Sequence, residues 1–172
     1  MGGRHAKIRR RSAQSLSTDE LTTVRQALQA HADRGVFRGF SEKPSRRGKL
    51  SFQFAWLAQT PYELTYEPIS GVFTFTNILP NVQHHSPMAN AVRSFVKNRA
   101  SDQLPEHRRV NPHKAKSSVF IRNGNMRLQL TAESGFHSYG INKIINLAHE
   151  VFVYLQIYFP DYLWREYDKP ED

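Results

Sequence analysis

Between Tyr139 and Phe159 the chain reads YGINKIINLAHEVFVYLQIYF, and no other stretch restricts the fold so tightly. Ile141, Ile144, Ile145, Ala148, Val151, Phe152 and Leu155 recur at helical spacing over several turns. Ser138 stands where a cap belongs, and Pro160 ends the run. Leu147, Tyr154, Ile157 and Tyr158 widen the apolar stripe beyond what one contact surface needs. Only Asn142, Lys143, Asn146, His149, Glu150 and Gln156 keep a thin polar strip. A helix of this kind has to be covered by a sheet. Leu147, Tyr154, Ile157 and Tyr158 are then left for the first helix, for Tyr162, Leu163 and Trp164, or for a partner protein, a second copy included.

The sheet is legible upstream. A helix is expected over 18–33, opened by a capping box from Ser17 to Glu20 with Leu16 and Leu21 as its staple, and stopped at Gly35. Val36–Phe40 reads as a short edge strand and Ser41–Lys49 as a basic loop. Leu50, Phe52, Phe54 and Trp56 then alternate with polar residues, as do Tyr62, Leu64 and Tyr66, and Phe73 and Phe75. Thr60-Pro61 and Pro68–Gly71 supply the turns of this meander. Ser86-Pro87 opens a second helix that fades near Ser101, and a polar loop covers 101–116. Asn123-Gly124 marks a type I′ hairpin that pairs Ile121 with Met126 and Val119 with Leu128, leaving Phe120, Arg122, Arg127 and Gln129 on the other face. Asp161–Tyr167 reads as a final aromatic turn. The order is α-β-β-β-α-β-β-α. It implies a two-layer α+β domain over 17–168, a mostly antiparallel sheet of five or six strands with helices on one face, and the other face polar and partly open. Residues 1–16 read as a disordered basic arm, and 169–172 as a tail.

Composition removes whole classes of chemistry. Cysteine is absent from the 172 residues, so disulfides, thiol catalysis and Cys-type zinc sites fall away. Lys143 and Glu150 interrupt the best candidate membrane span, and the N-terminal residues lack an apolar signal centre, so a cytoplasmic protein with no membrane contact is expected. His84-His85 are adjacent in a loop and their side chains are expected to diverge, His107 and His113 have no carboxylates in ligand spacing, and His149 has no partner one turn away. Ser70-Gly71 and Ser134-Gly135 lack the remainder of a nucleophile elbow. Glu63 and Glu67 alternate on the polar sheet face, where exposed carboxylates ordinarily keep a sheet soluble. Gly48-Lys49 lacks both the earlier glycine and the following Ser or Thr of a phosphate loop. No enzyme, metal or cofactor is expected.

Charge is the remaining signal. The net charge is +9, yet residues 50–92 carry −2 and residues 128–172 carry −4, so the excess lies in 1–49 at +8 and 93–127 at +7. Arg93, Lys97, Arg108, Arg109, Lys114, Lys116, Arg122 and Arg127, with the aromatic Phe120, make a candidate surface for nucleic acid or another polyanion. Solvated basic loops are the plainer account of the same residues.

The element order resembles the type III secretion chaperone-like fold, shared by small YbjN-like bacterial proteins, over about residues 18–159. What the resemblance implies is a non-enzymatic, homodimerising module that offers its surface to an extended peptide. By that analogy the dimer contact would involve the region around Met88–Val96 and Val119–Leu130. Such chaperones are usually acidic, and this chain is basic. Protein–protein contact is therefore the first functional expectation, and polyanion binding the alternative.

Overall fold

The computed structural model describes residues 19–44, 46–56 and 61–168. The basic arm, Ser17 and Thr18 of the capping box, Thr60 and the tail 169–172 lie outside these residues. Helix α1 occupies 19–33. Six strands follow: β1 (Phe40–Pro44), β2 (Leu50–Phe54), β3 (Tyr62–Glu67), β4 (Val72–Leu79), β5 (Ala115–Arg122) and β6 (Asn125–Ala132). Helix α2 (Pro87–Asn98) separates β4 from β5, and α3 (His137–Tyr158) and the short α4 (Pro160–Leu163) close the chain. All neighbouring strands are antiparallel, in the order β1-β2-β3-β4-β6-β5. This is the expected α+β architecture, with six strands.

Period-2 alternation places the core. Phe52, Phe54, Leu64, Tyr66, Phe73, Phe75, Met126, Leu128 and Leu130 are all buried on the helix side. Tyr66 stacks on Phe73 with centroids 4.5 Å apart, and Phe54 meets Phe75 edge-on at 5.8 Å. Helix α3 lies across β4 and β6. It comes very close at Gly140, where a Cβ would stand 2.8 Å from Ala132 Cβ and 3.0 Å from Phe73 Cε2. Helix α2 packs beside α3 and over β5, burying Met88, Ala89, Val92 and Val96 in the same core. The sequence pointed to the first and last helices as the cover, and α2 is a third.

Three local expectations shift. The edge strand is Phe40–Pro44, paired from Phe40↔Phe54 to Pro44↔Leu50, rather than Val36–Phe40. Gly35 and Gly39 take positive φ, so 35–39 bend and send Phe37 inward to stack on Phe54 at 4.7 Å. The polar residues that resemble a loop find partners there: Glu42 accepts from Arg25 of α1 at 2.6 Å. Strand β4 runs on to Leu79 through an irregularity after Phe75, which lets the consecutive Ile78 and Leu79 both be buried. Helix α3 starts at His137, and Ser138 is not its cap. Glu20 of α1 instead accepts from the Gly135 N–H at 2.7 Å, just ahead of that helix. By contrast, Ser86 caps α2 through the Ala89 N–H as expected. The hairpin is also as expected, with Ile121↔Met126, Val119↔Leu128 and positive φ at Asn123 and Gly124.

Candidate functional site

The outward side of α3 forms the site. Ile141 to Leu155 is spent on the sheet, so residues on the opposite side of the last three turns have no cover in the monomer. Val153 is 39% exposed, Ile157 65% and Tyr158 64%. Val153 and Ile157 are one turn apart, as are Tyr154 and Tyr158, so the four form one strip. Phe95 of α2 extends it, with its ring 4.7 Å from Tyr154, and Tyr154 stands 4.8 Å from Tyr158. Leu147, expected to belong with this exposed set, is 3% exposed and part of the core. The stripe needs its width there because α2 also lies against α3.

Polar clamps hold the rim. Arg99 at the end of α2 donates to Glu150 Oε2 at 2.8 Å while its guanidinium sits 4.2 Å over Phe95. Lys143 Nζ donates to the backbone carbonyls of Glu106 and His107, fixing the single turn Glu106–Arg108 against α3. Burial lowers the Lys143 pKa, with Glu106 and Glu150 pulling it back up and Lys114 adding a small lowering. Tyr139 Oη accepts from the Asn111 N–H and donates to the Arg109 carbonyl. These bonds bring Arg108 to the groove between α2 and α3, of about 640 Å³, lined by His149, Glu150, Val153, Tyr154 and Ile157. A second groove shares Arg108, His149 and Glu150 and runs to Trp56 and the end of α1.

No protein-family model matches this chain, and neither does any curated protein or solved structure. The site therefore has to be read from its own chemistry.

The basic candidates do not share one face. Arg93, Lys97, Arg108, Arg109 and Lys114 lie on the helix side. Arg93 donates to the His84 carbonyl, and Lys114 Nζ sits 5.0 Å over the Tyr139 ring. Lys116, Phe120, Arg122 and Arg127 lie on the uncovered sheet face by strand alternation, with Phe120 directly opposite Arg127. Both groups border β5. Among the described residues no group of three His, Asp or Glu side chains is placed to hold a metal ion, and no helix is long and apolar enough to cross a membrane.

Two buried histidines escape sequence reasoning. His31 of α1 donates from Nε2 to Asn142 Oδ1 at 2.8 Å and accepts from Arg34 at Nδ1. The Asn142 amide is oriented by its own bond to the Ser138 carbonyl. His137 Nδ1 stands 2.5 Å from Tyr66 Oη and 3.1 Å from Glu20 Oε2. Burial lowers the pKa of both histidines, and it raises that of Tyr66, with Glu20 adding to the rise. No spacing in the sequence links residues so far apart, so only the fold reveals that these groups tie α1 to α3 and to β3.

Proposed function

We propose that the protein is a cytoplasmic, non-enzymatic binding module that acts through protein–protein contact, chaperone-like in role, with a second copy as the partner of its α3 strip. The observation that carries this is the contiguous exposure of Val153, Ile157 and Tyr158 beside the Phe95–Tyr154 stack. Isolated exposed apolar residues are ordinary, but a rimmed strip of aliphatic and aromatic side chains marks a contact surface. A two-fold axis across α3 would lay the strip on itself, and completing the burial of one Ile contributes about 1–2 kcal/mol per copy. The element order read from the sequence, to which the structure adds the edge strand β1, is like that of the type III secretion chaperone-like fold and supports the same reading at the level of fold analogy alone. Sedimentation velocity tests it. The wild type should sediment as a dimer at micromolar concentration, and Ile157→Glu as a monomer that keeps the wild-type circular dichroism spectrum but loses the concentration dependence of the melting temperature. A wild type that stays monomeric at high concentration would sink the dimer.

A second reading is favoured by one placement. Arg122 and Arg127 flank Phe120 on the uncovered sheet face, with Lys116 further along the same strand, an arrangement that suits stacking and phosphate contact. Titration of labelled single- and double-stranded oligonucleotides against salt decides it, and no binding at low salt ends it.

A further inference from the structure

The two edges of the sheet differ in a way that points to a ligand. Strand β1 is short, ends at Pro44 and has its Glu42 held by Arg25. Those are ordinary ways of blunting an edge. Strand β5 has eight residues paired to β6 without a register shift. Its own outer edge can be deduced. The Glu133 N–H donates to the Lys114 carbonyl, whereas the Ala132 N–H donates to Gly71 on the far side. Alternation then turns the backbone groups of Lys116, Ser118, Phe120 and Arg122 toward β6. The N–H and C=O groups of Ser117, Val119 and Ile121 point outward, and among the described residues no hydrogen bond reaches them.

We infer that the free edge of β5 takes up an extended acidic peptide segment by strand addition. Outward amides and carbonyls in alternation match a peptide backbone, which both donates and accepts. A phosphate backbone cannot satisfy the carbonyls. Charge sets the composition. Lys116 and Arg122 bracket the uncovered face of the edge with Arg127 behind them, so acidic side chains suit both ends of the guest. The half-buried Val119 and Ile121 favour apolar side chains on the helix face. A second β5 fits poorly, because antiparallel pairing about its centre would set Lys116 against Arg122 of the other copy. This site lies apart from the α3 strip and stands whether or not that strip dimerises.

The probe is acetyl-Glu-Val-Thr-Val-Thr-Val-Glu-amide, followed by calorimetry and by amide chemical shifts of the full chain. We expect binding that shifts Ser117, Val119 and Ile121. N-methylation of alternate peptide nitrogens should weaken it by about tenfold or more, as lost backbone hydrogen bonds require. Val119→Pro removes an outward N–H without touching the β6 ladder and should do the same. Lys116→Glu with Arg122→Glu should weaken it also, should the proline variant fail to fold. Ile157→Glu should leave it intact, which separates this edge from the α3 contact. No binding at low salt would overturn the inference. Equal binding of the N-methylated peptide, or full competition by an oligonucleotide, would show a charge effect only and also overturn it. Self-association lost in Val119→Pro would give the edge to a second copy instead.

Discussion

At the scale of single residues, the buried histidines make stability depend on pH. His31 and His137 both have folded pKa values held below the ordinary imidazole value of about 6.5, chiefly by burial. The unfolded chain therefore binds protons first as pH falls. The stability these residues contribute is present above about pH 6.5 and is lost as acid is added below it. Urea unfolding at pH 7.5, 6.5 and 5.5 should show this decline, and His31→Gln should make it shallower. A flat profile would mean that neither imidazole is buried uncharged. Gly140 is a second residue-scale test. Alanine would normally favour a helix over glycine by about 1 kcal/mol, but here its Cβ would stand 2.8 Å from Ala132 Cβ. Overpacking at about 1–3 kcal/mol should win, so Gly140→Ala should lower the melting temperature by several degrees, measured by calorimetry.

At the scale of elements, α3 is where sequence and structure agree most and where they part. Its core stripe was legible because apolar spacing reports which side a helix buries. Tyr154, Ile157 and Tyr158 were legible as surplus for the same reason. Leu147 was not separable from them, since the sequence carries no sign that α2 would lie alongside. Phe95 and Arg99 were missed because their role depends on that contact. Tyr154→Glu should lower stability and disturb assembly together, because Tyr154 packs on Phe95. Asn146→Glu, at an exposed position, should do neither. Thermal melts paired with light scattering check both, and equal tolerance would mean the wrong face has been chosen. Strand β1 shows the opposite failure. Its polar residues resemble a loop, and only the Arg25–Glu42 pair and the Phe37 stack make a strand of it.

At the scale of the whole molecule, the class of fold followed from alternation and turn chemistry, which are local. The distribution of charge did not, because which face a basic segment occupies is decided by strand register. Lys114, in the turn before β5, reaches the Tyr139 ring, whereas Lys116 and the alternate candidates of the hairpin lie on the uncovered face of the sheet. A basic sequence thus becomes two basic surfaces meeting at one edge.

The strand order also bears on how the molecule comes together in time. Strands β1 to β4 pair with one another in chain order, and β5 with β6 across a tight turn. The β4–β6 pairing alone joins partners roughly fifty residues apart, and the entropy of closing that loop has to be met before any contact rewards it. The seam is thus the natural rate-limiting event, with β1 arriving later. In stopped-flow refolding, Leu128→Ala at the seam should mainly slow folding, whereas Phe40→Ala at the edge should mainly speed unfolding. The reverse pattern would place the nucleus in the meander and leave the seam to close downhill.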